Sequence, residues 1–595
     1  MKIKNLLFSA AVPLLLSSGY APAGEIKVTY PSEGDSLPNI QSTFIFGNIT
    51  PSTAPFYING AKVDVYKNGG FIAYLPVSEG EFTFNCELID GTTVTYLRKV
   101  KIKQSPQAKS TTTLRLELVS PSADLSLPPG DVVEVQAEGT PGKIAVFGIK
   151  GLVSDAPMSE LPPGSGRYFG SYRIKDSDEA KGAALGVKFK TGLFASTART
   201  TAKVKVSVQG KPALVETSTD AVILRNGLGS GYMMFLPKGV KLLSDAKVGR
   251  NRRIRLSPSE AGWVDESRVV LSTNTAFLPQ NETGAISIKK TDTGSMVSIG
   301  MSYPSAYTVE EYGNSLRLLL YYAKQHTNWV IYDSSDTFVK QVRFSQTGEN
   351  TVAVDFDLEP GMELGGYDVY PGTRSMIVEL RRMPSAPGNW PYPLAGVRIV
   401  VDAGHSPKLT PPYDGAIGPM GTLEYQVNLM TAYKLKDDLS NLGATVYMTR
   451  NGDETVQLTD RPKLAKEYKG DIFISLHNNA IGDGEDPFSK PRGFSIYHYH
   501  RHSMALGRAV HRSYVRNIPL PDEGLRYGDY AVARMTIMPA ILVESAYMIM
   551  PEQEEMVNSP AFQQKLADAI TGGVLEFFRV PPPPPPPQPE KKRKK

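Results

Sequence analysis

The chain has 595 residues, far more than one hydrophobic core serves when domains hold roughly 100–150, so four or more domains are required. A single cysteine, Cys86, excludes an intrachain disulfide, which leaves packed cores and metal to supply stability. The formal charge of +5 sits at the ends: Lys2 and Lys4 bring two positive charges and the tail from Pro581 brings four (five Lys/Arg against Glu590), so the body is near −1 and a nucleic-acid surface is excluded.

Residues 1–23 read as a secretory signal, with Lys2 and Lys4 before the short apolar run Leu6 to Leu16 and the small-residue site Ala21-Pro22-Ala23. Ser9 and Pro13 interrupt that run, which is shorter than the roughly 20 residues a membrane span needs, and no other segment reads as a span. The expected location is therefore outside the cytoplasm, in the periplasm or cell envelope.

Residues 24–106 show short alternating runs such as Ser42-Thr43-Phe44-Ile45-Phe46, separated by the turn signals Asn59-Gly60, Asn68-Gly69-Gly70 and Asp90-Gly91. This pattern, with Phe56-Tyr57-Ile58-Asn59-Gly60 and Gly69-Gly70-Phe71, resembles bacterial immunoglobulin-like modules. Beyond a polar joint at Gln104 to Thr112, residues 113–210 repeat the all-β signature, with Pro128-Pro129-Gly130 as a turn mark. The runs Ala221 to Gly227 and Ala261-Gly262-Trp263-Val264 lie in a segment, 213–272, that resembles a bacterial SH3-like module. Residues 284–383 carry paired strand runs, including Leu316 to Tyr322, Thr351 to Phe356 and Met376 to Leu380, and are similar to AMIN domains.

After a linker at Pro384 to Gly388 the pattern changes from strands alone to strands alternating with helices, predicting an α/β domain over 394–580 with a largely parallel twisted sheet flanked by helices. Strands are expected at Arg398 to Val401, Ala444 to Thr449, Ile472 to Leu476 and Ala540 to Val543. Leu423, Val427, Met430, Leu435, Leu439 and Leu442 recur at helical spacing, and Phe562 to Phe578 closes the domain as a helix. The tail, 581–595, is a proline run tipped by Lys591 to Lys595; its charge reads as solvated.

Four polar residues fall where such a sheet gathers its chemistry, outside the carboxyl ends of the strands. His405 follows the first strand, His477 the third and Glu544 the last, while a Gly/Pro-rich loop (Gly415, Gly418, Pro419, Gly421) returns Glu424 over the same rim. Two histidines and one carboxylate make a zinc set with one position left for water, the pattern of a catalytic rather than a structural site. The remaining carboxylate is then the proton carrier. Spacing alone leaves open which glutamate binds and which acts as base.

At these residues the segment Val397 to Phe578 resembles the zinc-dependent N-acetylmuramoyl-L-alanine amidases, bacterial cell-wall hydrolases. The resemblance is carried by Val401 to His405, Gly415 to Gly418, Leu423-Glu424, Val427 to Leu429, Thr449-Arg450, Leu458 to Arg461, Ser475 to Ala480, Met538 to Glu544 and Ser559-Pro560. It implies one zinc held by His405, Glu424 and His477, with Glu544 catalytic, and it implies peptidoglycan as substrate. Cell-envelope or division proteins are the partners implied for the β-rich modules. The chain departs from the family where Ser406-Pro407 replaces Gly-Gly and Ser545-Ala546 replaces Cys-Gly.

Two further residues are candidates for substrate contact. Arg534 resembles an arginine of the family and is suited to a peptide carboxylate; His500 is expected beside the cleft, in reach of substrate. The alternating His498, His500 and His502 read as lining a sheet face or solvent rather than as a second metal site. Residues 478–492, rich in Gly, Asp and Pro, show no apolar helical stripe. An occluding helix is therefore not expected there, and the isolated segment 389–580 is expected to act without an activator, with control resting in the N-terminal modules.

Overall fold

The computed structural model describes residues 24–103, 114–190, 204–272, 278 and 280–585. The segment 1–23 read as a secretory signal, the joint at 104–112 and the basic tip of the tail lie outside them.

Residues 24–103 form a two-sheet β-sandwich. One sheet has three strands (Glu25–Tyr30, Ser42–Thr50, Gly70–Pro76); the other has five, centred on the long hairpin Gly80–Asp90 and Thr92–Ile102. Ile45, Ile49, Phe56, Phe71, Phe84 and Cys86 fill the space between them. The strand Ser42–Thr50 is buried on both faces, because Phe44 and Phe46 turn outward against Ile549 and the partly buried Ile417 and Ile481 of the C-terminal domain. A half-buried strand would alternate; this one reads as nearly continuous apolar sequence.

The second all-β segment is not separated from the third. Leu125–Leu127 pairs with Lys205–Val208 on one side and with Lys241–Val248 on the other, so a ten-stranded sheet runs from one module into the next. Ala246, from the third module, is accordingly part of the second module's core. The sequence break anticipated at 210–213 is thus a turn within one folded body. Residues 281–382 form a further sandwich of a five-stranded and a four-stranded sheet around Val297, Leu318, Val354, Phe356 and Val378.

The C-terminal sheet has six strands in the order Thr445–Met448, Arg398–Ala403, Ile472–Asn479, Ala540–Tyr547, Phe494–His498, Asp522–Tyr527. All neighbours are parallel except Phe494–His498 against Ala540–Tyr547. Helices Glu424–Asn441, Met504–Asn517 and Pro560–Phe577 share one core with Ile399, Val401, Ile474, Ile541 and Val543 on one sheet face. On the other face Val400, Phe473 and Leu542 meet Ala465 of helix Asp460–Glu467 and the segment carrying Val532, Met535 and Met538. Among the described residues no helix is long and apolar enough to cross a membrane.

The β modules wrap the C-terminal domain. Thr29 Oγ1 and Asn48 Nδ2 both donate to the Pro419 carbonyl, at 2.9 and 2.8 Å, and Tyr74 OH donates to the Gly484 carbonyl at 2.9 Å. The Tyr232 N–H reaches Asp529 at 3.1 Å, and the Tyr367 N–H donates to the Thr536 carbonyl at 2.7 Å.

Candidate metal centre

Parallel pairing sets the site. Arg398–Ala403 pairs with Ile472–Asn479, which pairs with Ala540–Tyr547 in a register that places His477 beside Glu544. Gly404 and His405 continue the first of these strands at the same end. Helix Glu424–Asn441 begins at its ligand candidate, and the loop before it is tied down by Glu554, which accepts from the Met420 N–H at 2.9 Å and the Thr422 N–H at 3.1 Å.

His405, Glu424 and His477 converge, with their ligand atoms all within 4.8 Å of one another. His405 Nε2 lies 3.1 Å from Glu424 Oε2, and His477 Nδ1 lies 3.2 Å from Glu424 Oε1. The carboxylate is fixed by the Ala416 N–H at 2.8 Å, the Asn478 N–H at 2.9 Å and Asn428 Nδ2 at 3.1 Å. Asp414 Oδ1, 2.9 Å from His405 Nδ1, orients that ring so that Nε2 faces the centre, the carboxylate–histidine pairing usual behind a metal. Two ring nitrogens and one oriented carboxylate oxygen fit a zinc ion, and the charge balance agrees. Burial opposes protonation of His405, yet Glu424 and Asp414 outweigh it and push the imidazole up to about 9. The cavity therefore draws positive charge, which a cation supplies as well as a proton does.

The backbone at the centre is strained. His405 has φ +63°, the left-handed region that non-glycine residues rarely occupy. Arg461 Nη2 holds its carbonyl at 2.8 Å and Asp414 Oδ2 accepts the Ser406 N–H at 2.9 Å, so the conformation is fixed from both sides. Gly415, at φ +97°, passes so close that an added Cβ would lie 2.7 Å from Glu424 Oε2 and 2.8 Å from the His405 ring. Gly415→Ala is therefore expected to weaken metal retention about 10–100-fold, the size of effect that orienting groups have around metals. Zinc content after dialysis against a graded chelator series measures it; unchanged retention would contradict this packing.

Glu544 is buried at the same rim, and its Oε2 has no hydrogen-bond partner. Burial, then the charge of Glu424, pushes its carboxyl well above the usual carboxylate range, against the opposing influence of His405. A buried acid with an unpaired oxygen beside a metal-ligand set is the arrangement of a proton carrier.

The structure brings His405, Glu424, His477 and Glu544 together and leaves Arg534 and His500 elsewhere. Arg534 Nη1 meets Asp529 at 2.8 Å and its Nη2 donates to the Met233 carbonyl at 3.0 Å. Its guanidinium lies 4.1 Å from the Tyr499 ring centre and its side chain is 7% exposed. It anchors the third module to the C-terminal domain. His500 is likewise engaged internally, through Nε2 to the Arg534 carbonyl at 3.0 Å and through Nδ1 to Glu311 at 3.2 Å. As corrections to the sequence expectation, both residues have their polar atoms turned into a domain interface. Asp414 was not anticipated; an acid nine residues after the histidine, in the loop that must fold back over it, was the available signal.

No helix lies between 479 and 494. Instead, the first sandwich touches this segment through Tyr30 to Asp483 and Tyr74 to Gly484.

Residues 399–576 match the family model described as N-acetylmuramoyl-L-alanine amidase. The probable cell wall amidases LytH of Staphylococcus epidermidis and Staphylococcus aureus are 34% identical over 188 residues, 31% of this chain and 60% of theirs. The chain thus spans three fifths of the length of these relatives. Among solved structures, the N-acetylmuramoyl-L-alanine amidase AmiC2 of Nostoc punctiforme is 30% identical, covering 31% of this chain and 99% of its own at a TM-score of 0.29. The catalytic domain of CwlV, an N-acetylmuramoyl-L-alanine amidase from Bacillus (Paenibacillus) polymyxa var. colistinus, gives the same figures.

Proposed function

We propose that the protein is an exported, zinc-dependent N-acetylmuramoyl-L-alanine amidase of the cell envelope. It hydrolyses the amide between N-acetylmuramic acid and the L-alanine of the stem peptide, in wall remodelling or daughter-cell separation. The observation that carries this reading is the convergence of His405, Glu424 and His477 beside the buried, unpaired Glu544, within a segment that matches the amidase family.

His405, His477 and Glu424 would hold a zinc ion, which would supply Lewis acidity to the scissile carbonyl and lower the pKa of water toward about 7. The protein's own groups do the rest. Asp414 keeps the proton on His405 Nδ1 and leaves Nε2 free as a donor of electrons. Asn428, Asn478 and the Ala416 N–H keep the Glu424 carboxylate from turning away. Glu544 Oε2, as the carboxylate, accepts a proton from the attacking water and returns it to the alanine nitrogen as the C–N bond breaks, so the carboxylate is regenerated in each cycle.

The β modules act in this reading as wall-locating and positioning domains, those at 213–272 and 284–383 being of SH3-like and AMIN-like type. The test is mass analysis of the products when residues 24–595 digest isolated peptidoglycan. Free stem peptides with an unblocked L-alanine amine, beside sugar chains lacking peptide, are the expected result; cuts within the peptide, or stems still attached, would refute the reading.

A further inference from the structure

Two of the alternating histidines read as facing a sheet or solvent, His500 and His502, find a partner nearly two hundred residues upstream. Glu311, on strand Tyr307–Tyr312 of the fourth β module, reaches into the C-terminal domain between His500 and His502. Its Oε1 lies 3.2 Å from His500 Nδ1 and 2.9 Å from His502 Nδ1. Its Oε2 accepts the His502 backbone N–H at 2.9 Å, which turns Oε1 toward the two rings.

The proton count at this junction is short of positive charge. His500 Nε2 is 3.0 Å from the Arg534 carbonyl, an atom that only accepts, so Nε2 carries a proton and, in the neutral ring, the lone pair is on Nδ1. That lone pair faces a carboxylate oxygen. Were His502 Nδ1 to donate to Glu311, the contact with His500 would still set two electron-rich atoms against each other at 3.2 Å. The side chains of His502 and Glu311 are 0% and 10% exposed, and Tyr367 meets both imidazoles edge-on, so water screens the contact poorly.

We propose that Glu311, His500 and His502 form a second zinc site, which clasps the fourth β module onto the C-terminal domain. The donor set repeats that of the first centre: two ring nitrogens and one carboxylate oxygen, all within 4.8 Å of one another. His500 shows the outer pairing of a metal-bound imidazole, its far N–H on a backbone carbonyl. An ion between the three atoms removes the lone-pair conflict and leaves Glu311 Oε2 on its amide. Neither domain alone supplies the full set, so the ion is retained only where the two meet.

Zinc per chain, measured by plasma mass spectrometry on residues 24–595 after dialysis against a weak chelator, tests this independently of the amidase reading. Two equivalents are expected for the unaltered chain. One is expected for Glu311→Gln, one for His500→Gln, which keeps a donor toward the Arg534 carbonyl, and one for His477→Ala. A single equivalent in the unaltered chain, lost on His477→Ala but unaffected by Glu311→Gln, would overturn the second site. A single equivalent lost on Glu311→Gln and unaffected by His477→Ala would support the clasp and refute zinc at the first centre.

Discussion

Replacing Glu544 by alanine is expected to lower turnover of peptidoglycan by about 10³-fold or more while zinc stays bound at the first centre, whereas His477→Ala is expected to lose both turnover and the zinc of that centre. The magnitude follows from a positioned acid–base group, commonly worth about 10²–10⁴, at a site where no second unpaired carboxylate stands ready. Asp414 is occupied with His405 and the Ser406 amide, and Glu424 is held by three N–H donors. The separation of the two effects is the informative part. Zinc content and turnover measured on the same preparations decide it: loss of zinc from the Glu544 variant would make that residue a ligand and reassign its role.

The second large effect concerns stability. Asp402 is fully buried, accepts from Arg461 Nη1 and Thr449 Oγ1 at 2.5 Å and from Ser475 Oγ at 2.6 Å, and lies three residues before His405. Removing one partner of a buried ion pair leaves the other charge uncompensated, at a cost of about 3–5 kcal/mol. Asp402→Ala is thus expected to remove a large part of the C-terminal domain's stability. It would also free Arg461, whose other nitrogen fixes the strained His405 carbonyl. The measurement is the thermal transition of the C-terminal domain followed by amide exchange; a transition within a degree or two of the parent would refute the argument. The pH dependence has a definite sign. Burial opposes ionisation of Asp402, but Arg461 and the two hydroxyls hold its carboxyl below the usual range. Its contribution is present above the unfolded value of about 3.9 and is lost as pH falls through the lower folded value.

The convergence of His405, Glu424, His477 and Glu544 was legible because each lies at the carboxyl end of a visible apolar strand run, with His477 and Glu544 still inside their strands, or at the helix start that a glycine-rich loop must return. The parallel sheet was legible for a related reason: strands buried on both faces, such as Ile472–Asn479, show as continuous apolar runs bounded by turns. What escaped were pairings between modules. The continuity of Leu125–Leu127 with Lys241–Val248 rests on backbone hydrogen bonds that any side-chain pattern allows. The fate of His500 depended on an acid 189 positions away, and that of Arg534 on a carbonyl at 233, neither of which leaves a local periodicity. Long-range polar pairs are invisible to spacing arguments for that reason.

The docking of the first sandwich on the last domain sets an order of events during synthesis. Phe44 and Phe46 emerge, and their strand pairs, long before Ile549 has been made. Through that interval the first domain carries an uncovered aromatic face, with Tyr30 stacked 5.5 Å from Phe46, and a nascent chain with such a face is open to association with its neighbours. The final fold is reached only when the newest residues return to the oldest. A chain ending before Ile549 would lack the residue that covers Phe44 and Phe46, and that aromatic face would stay open to association.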